Sequence, residues 1–436
     1  MKKTFLFILL TILILPNISY AKNIHIVNSK SNDLESWLIE EHSLPIISIK
    51  LAFKKSGGSY DPEGKDGLSY LMTTLMNEGA GELKGFEFQK ELEKYAIHMS
   101  TDMDKDFFYI SLKTLTKNKD KALELLSLAV TKPRFDQEAI DRMKKQILYL
   151  YKKRMEDPKY LASLRWNQTI YKNHPYKKRL HGTPESISNI NKDDITKWFK
   201  NHINKKHLNI SVVGDITKEE LKEYLDKYFN EINENPLKEI PYIESFNNFP
   251  KNIKIHIDED NPQTVIMFGL DGYKYKDKEF YPAYIMNYIL GGGSFESRLM
   301  NEIREKRGLA YSVYSYLDTY EFDGSLKGMI GTKNESVAEV KKILRQEFKK
   351  LLEKGVTQEE VDNAKKYITG SFALGMDTNS KLANYLVFMQ SEDLGINFLD
   401  IRNDKVNEVT LTDVNNVIKK IINPDDLIII TVGKEQ

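Results

Sequence analysis

The chain's eight histidines are the first residues to test for metal or acid–base chemistry, and their spacing fails that test. A hydrolytic metal site needs clustered imidazoles and carboxylates plus a carboxylate base for the attacking water. On a helix, two such ligands four residues apart share a face. No H-E-x-x-H or H-x-x-E-H occurs. His202 and His207 lie five apart between a predicted helix and a predicted strand, which reads as a solvated turn. In "LIEEHSLP", Leu38 stands where a first histidine is needed, and Pro45 marks a strand or hairpin. The stretch "DGLSYLMTTLMNEG" is different. Leu68, Leu71, Met72, Leu75 and Met76 form one apolar helical stripe, and Ser69 and Thr73 share another, with no residue able to hold a metal.

A second constellation is "LGGGSFESRLMNEIREKRGLAYSVYSYLDTYEFDG". Leu299 and Ile303 share a helical face, Gly308 suits the helix C-terminus, and an alternating strand begins at Leu309. Arg304, in the last helical turn, and Tyr311, at the strand's start, can therefore converge. An arginine complementing the helix dipole and an interfacial tyrosine account for the same two residues.

The elements that position these residues repeat. "ISNINKDDITKWFKNHINKKHLNISVVGD" and "VNEVTLTDVNNVIKKIINPDDLIIITVGK" align without a gap, pairing Ile187 with Val406, Ile190 with Val409, Asp194 with Asp413 and Gly214 with Gly433. Each copy reads as a capped helix followed by a β-branched strand ending in glycine. A weaker echo joins "LPIISIKLAFKKSGGS" to "NPQTVIMFGLDGYKYKD". Two related domains follow, 22–232 and 251–436, joined by a proline-punctuated linker, 233–250. Strands such as 107–112 mixed with amphipathic helices such as 137–154 favour an α+β layered fold. No G-x-G-x-x-G opens a helix after a strand, which argues against a dinucleotide fold.

Residues 1–21 read as an export signal: Lys2 and Lys3, an apolar run from Phe5 to Leu15, and the small pair Ser19 and Ala21. The run is shorter than the ~20 residues that span a bilayer, so the mature chain is expected in the periplasm, with no membrane span. Removing two lysines takes the net charge from +1 to −1, which leaves no basic excess for nucleic acid. With no cysteine, packed cores must carry the stability.

With these residues on the page, the mature chain resembles the pitrilysin/insulinase family of zinc metallopeptidases, in the mitochondrial processing peptidase group. That resemblance implies two homologous α/β-roll domains, each a mostly antiparallel sheet packed with helices. It places the family's inverted zinc motif, H-x-x-E-H, on Ser69-Tyr70-Leu71-Met72-Thr73, and its third ligand, a glutamate, at about Tyr149 in "DRMKKQILYLYKKRMEDP". All four chemical positions would then be lost, and this chain would bind no zinc. In the second domain, Gly291, Gly292 and Gly293, then Ser297-Arg298-Leu299 and Arg304 through Tyr311, keep the family register. The resemblance gives Arg304 and Tyr311 the role of binding the substrate carbonyl and steadying the tetrahedral intermediate, with the glycine turn open to peptide backbone. It implies a non-catalytic subunit working with a zinc-bearing homologous chain on extended, unfolded peptides. The alternatives are a peptide-binding or scaffold protein of the same fold, and an independent peptidase with other metal ligands.

Overall fold

A computed structural model describes residues 23–31 and 33–434; the expected signal segment, 1–21, lies outside them. The first half builds a six-stranded sheet from β1 (His25–Asn28), β2 (Glu35–Glu40), β3 (Ile46–Lys54), β6 (His98–Met103), β7 (Phe107–Leu115) and β8 (Leu208–Gly214), with a small ribbon of β4 (Gly79–Ala80) and β5 (Leu83–Lys84) beside it. The second half builds a five-stranded sheet from β9 (Lys254–Asp258), β10 (Gln263–Asp271), β11 (Ala310–Thr319), β12 (Gly324–Lys333) and β13 (Ile428–Gly433). The strand orders are β1-β2-β8-β3-β7-β6 and β9-β13-β10-β12-β11. Without β1 the two orders are the same, and each sheet has one parallel pair, β2 with β8 and β9 with β13. The sequence repeat is thus a repeat of topology, in an α+β fold.

Period-two alternation gives every central strand two apolar faces. In β3, Ile47, Ile49, Leu51 and Phe53 meet the first half's own helices. In β13, Ile429 meets the second half's helices, whereas Ile428, Ile430 and Val432 face the other way. The outward faces are covered by exchange. Helix Pro158–Ile170 of the first half lays Leu161, Ala162, Trp166 and Ile170 against β10, β12 and β13. Gly269 makes room for that contact, since a Cβ there would lie 2.5 Å from the Trp166 ring. In return, helix Asn379–Ser391 lays Leu382, Ala383, Leu386 and Met389 against Trp37, Ile39 and Val213 of the first sheet. Its register is fixed by hydrogen bonds from Ser211 Oγ to the Ala383 carbonyl (2.7 Å) and from Asn379 Nδ2 to the Ile46 carbonyl (3.3 Å).

No helix or strand lies between Tyr228 and Lys254, yet this connection is not a loose tether. Ile240 and Ile243 are buried in the interdomain cluster, with Phe246 and Phe249 packed on it. The Phe246 N–H donates to the Phe322 carbonyl (2.9 Å), and His174 Nε2 bonds the Glu244 carbonyl (2.9 Å). Nearby, the Lys105 ammonium is sealed among the rings of Tyr171, Tyr176 and Tyr320 and donates to the Tyr176 carbonyl (2.9 Å). Asp106 accepts from the Tyr176 hydroxyl (2.7 Å) and the Glu321 N–H (3.1 Å), tying the two halves together. Among the described residues, no helix is long and apolar enough to cross a membrane.

Two stability tests follow. Leu386→Ala removes a fully buried side chain from the exchanged helix and should cost about 2–5 kcal/mol. A urea melt should show one cooperative transition moved to lower denaturant, because the helix belongs to both halves. The second test is His202, buried beside Trp198 with Nδ1 bonded to the Lys55 carbonyl (2.7 Å). Burial pushes its pKa down to about 4, so the folded state holds it neutral while the unfolded chain takes a proton below about pH 6.5. Its contribution is full above that value and is lost as pH falls towards 4, about 2 kcal/mol between pH 7 and pH 5. Urea melts at the two pH values should show a shallower pH dependence for His202→Asn.

Candidate functional site

Helix Leu68–Leu75 starts at Gly67, whose φ of +89° is a left-handed turn, and Asp61 caps it. The buried Asp61 carboxylate accepts from the N–H groups of Gly67 (2.8 Å) and Ser69 (2.9 Å) and from Ser69 Oγ (3.3 Å). A carboxylate here complements the helix dipole, although burial pushes the Asp61 pKa up to about 7. Leu68, Ser69, Leu71, Met72 and Leu75 face the core, while Tyr70, Thr73, Thr74 and Asn77 are partly exposed. The open stripe therefore runs through positions 70, 73, 74 and 77, with the i, i+3, i+4 spacing of an H-x-x-E-H motif.

This corrects the expected placement by one residue. Ser69 and Met72 are turned into the core, Ser69 engaged by Asp61 and Met72 packed among apolar side chains. Only Thr73 of the expected helical trio lies on the open face. On the facing helix, Gln137–Met155, Tyr149 is 58% exposed, with Lys153 over its ring at 4.9 Å. The buried residues Ile140, Met143 and Ile147 define that helix's inner face, which continues through Tyr151 and Arg154. Tyr70, Thr73 and Thr74 thus carry the motif's spacing on the open face, and Tyr151 lies on the inner face of the opposite helix.

They do not fit a metal. The hydroxyls of Thr73 and Thr74 donate back to the carbonyls of Tyr70 and Leu71, each at 2.7 Å. Arg154 Nη2 donates to the Tyr70 hydroxyl at 2.7 Å, and Arg179 Nη1 to that of Tyr151 at 3.3 Å. His181 stands edge-on to Tyr70 at 4.6 Å. Burial and the Arg154 charge hold the His181 pKa down at about 4. A neutral imidazole is a possible ligand, but a guanidinium beside it opposes a second cation. Among the described residues, no three His, Cys, Asp or Glu side chains are grouped to hold a metal ion.

The second constellation is assembled on the surface of the other half. The helix that begins at Arg298 widens to a π-helical turn over Asn301–Glu305, and Gly308, at φ +62°, reverses the chain into β11. Ala310 pairs with Thr332 and Ser312 with Gly331, so Tyr311 is the extra residue of a β-bulge. Bulges re-aim a side chain, and this one leaves Tyr311 79% exposed. The Arg304 guanidinium lies 5.7 Å from the Tyr311 ring and 5.1 Å from that of Phe295, itself 61% exposed. Among the described residues, its only carboxylate contact within 4 Å is the neighbouring Glu305, at 3.8 Å.

The sequence reading did not single out Phe295, although its place between the glycine turn and Arg298 was a visible signal. Two of the three glycines are taken up by the chain's own packing. A Cβ on Gly291 would lie 2.4 Å from Ser315 Oγ, and one on Gly293 2.8 Å from the Tyr288 carbonyl. Gly291 therefore serves helix–strand packing, and Gly293 lets the chain close tightly on Tyr288 of the preceding turn. Gly292 is exposed.

The model for insulinase (peptidase family M16) matches residues 38–184, and that for the peptidase M16 inactive domain matches residues 189–368. A Helicobacter pylori protein named non-peptidase homolog YmxG is 33% identical over 394 residues, covering 89% of each chain. This chain belongs to peptidase family M16. The crystal structure of a peptidase M16 inactive domain from Pseudomonas fluorescens superposes with a TM-score of 0.88 at 26% identity, over 95% of this chain and 98% of that one. A structure described as a protease from Helicobacter pylori shares the fold, with a TM-score of 0.85 at 19% identity over 94% and 99% of the two chains. The M16 chain described here lacks its family's zinc motif.

The corrected placement is testable. Elemental analysis of the dialysed chain should give zinc well below one atom per chain. Tyr70→His, Thr73→Glu, Thr74→His and Tyr151→Glu, combined with Arg154→Ala, should gain zinc binding by calorimetry. The alternative set Ser69→His, Met72→Glu, Thr73→His and Tyr149→Glu should gain none. It should also lose several kcal/mol of stability, because Met72→Glu buries an unpaired carboxylate.

Proposed function

We propose that this protein is the non-catalytic subunit of a periplasmic two-chain metallopeptidase, supplying Arg304 and Tyr311 to a zinc-bearing homologous chain. The observation that carries this reading is the contrast between the two halves. The metal positions hold two tyrosines and two threonines. Tyr311 instead stands exposed beside a half-buried Arg304, one on a bulge and the other on a π-helical turn, both devices that recur at functional sites. A guanidinium and a phenol so placed are donors for a carbonyl oxygen that gains negative charge as water attacks it. Such donors are worth ~3 kcal/mol each in the transition state.

Zinc and the base that activates water would belong to the partner. The substrate class is unfolded peptide in extended form. The open edges of β6 and β11 support this, since an extended chain adds to a sheet edge through main-chain hydrogen bonds. The apolar run and small-residue pair within residues 1–21 support export.

A second reading is a peptide-binding or scaffold protein without proteolytic work. The Helicobacter pylori relative's name, non-peptidase homolog, favours it. The two readings separate in one assay. Mixed with a sister chain bearing H-x-x-E-H, the protein should raise peptidase activity far above that of either chain alone. Arg304→Ala and Tyr311→Phe should each lower kcat ~10²-fold or more while size-exclusion chromatography shows the complex intact. Full activity of both variants within an intact complex would support the scaffold.

A further inference from the structure

Arg154 is an unusual residue to find where a metal would sit. Its Nη2 donates to the Tyr70 hydroxyl at 2.7 Å and its guanidinium lies 5.0 Å from the Tyr70 ring centre. Its Nη1 is buried and has no hydrogen-bond partner. Among the described residues, neither Arg154 nor Arg179 has a carboxylate within 4 Å, a state they share with Arg165, Arg345 and Arg402, whereas Arg134, Arg142, Arg298, Arg304 and Arg307 each have one. The charged groups acting on the adjacent Tyr160 are these two arginines, with no carboxylate among them. A desolvated guanidinium nitrogen without an acceptor is costly, and Arg154 Nη1 therefore marks a place for an anion.

We propose that the recess around Arg154 is a carboxylate-binding site that receives a free carboxylate of a bound peptide. Nη1 of Arg154 donates a charge-assisted hydrogen bond to one carboxylate oxygen, and Arg179 adds a second positive charge at the rim. The peptide assignment comes from topology. Helix Leu68–Leu75 packs along β6 and is tied to it by a hydrogen bond from Thr101 Oγ1 to the Thr73 carbonyl. β6 is the sheet's edge, so a strand added there passes the recess. The site thus holds a fixed cation on the helix face that carries the motif's spacing, and it retains a peptide rather than cleaving it. This inference rests on the peptide-binding element of the proposed function alone, and the isolated chain tests it without any partner.

The carboxylate can come from a peptide's C-terminus or from an acidic side chain, and three N-acetylated alanine hexapeptides separate these sources. One has a free C-terminus, one is amidated, and one is amidated with a single central glutamate. Calorimetry on the intact mature chain should show at least one carboxylate peptide binding tenfold or more tighter than the neutral amide, and the tighter arm identifies the source. Arg154→Met should abolish the difference and Arg154→Lys should keep part of it. Tyr70→Phe, which removes only the hydroxyl that positions Arg154, should weaken it if Arg154→Met fails to fold. His181, faced by Tyr70, Tyr160 and Arg154, gives an independent readout. Its NMR-titrated pKa should rise when a carboxylate peptide binds, because an anion favours the imidazolium, and should not move with the amide. Equal affinity for all three peptides, binding of none, or a carboxylate preference that survives Arg154→Met would overturn the proposal.

Discussion

The architecture depends on one constraint: each sheet carries apolar side chains on both faces, while each half's own helices cover only one. An uncovered face of Ile428, Ile430 and Val432, or of Trp37, Ile39 and Val213, would be a large exposed apolar patch and an association hazard. The chain answers by exchange, with helix Pro158–Ile170 closing the second sheet and helix Asn379–Ser391 closing the first. The two halves are therefore one folding unit, despite their clear internal repeat. The strap through Ile240, Ile243 and Phe246 finishes the same interface, and Lys105 and Asp106 fix its orientation through directional contacts.

That rigid pairing gives the two sites their separate characters. Helix Leu68–Leu75 is pinned from three sides: the Asp61 cap at its start, the core beneath and the β6 edge beside it. A helix so fixed holds Tyr70, Thr73 and Thr74 at the spacing of the family's motif, with Arg154 bonded to the Tyr70 hydroxyl. The second half displays its candidate side chains differently. Arg304 and Tyr311 stand on local backbone irregularities, a π-helical turn and a bulge, on an otherwise regular frame. A pair held this way, half-buried and exposed respectively, can be reached from outside the chain.

Much of this was legible in the sequence. The constant spacing from Ile187 to Val406 and from Gly214 to Gly433 announced the duplication. Gly308, Arg304 and Tyr311 read directly as a helix end turning into a strand. The one-residue difference in the motif's place came from the resemblance, which laid it on Ser69, Met72 and Thr73, whereas the fold buries Ser69. Its burial depends on Asp61, a cap eight residues earlier whose reach does not show in helical periodicity. The apolar stripe Leu68, Leu71, Met72 and Leu75 already implied that positions 70, 73 and 74 face away. Likewise, the run Ile140, Met143, Ile147 pointed to Tyr151 and Arg154 rather than Tyr149. The helix exchange was not legible. Amphipathic patterns say that a helix has a face to bury, but not which sheet receives it.

The central claim is that the Arg304–Tyr311 surface is donated to the metal site of a homologous chain. Photo-crosslinking tests this most directly, with a benzophenone side chain at position 311 of the full-length protein in intact cells and the captured peptide identified by mass spectrometry. The account predicts a crosslink to the H-x-x-E-H helix, or the strand beside it, of a zinc-bearing M16 chain. Crosslinks confined to this chain, or to proteins without that motif, would contradict it.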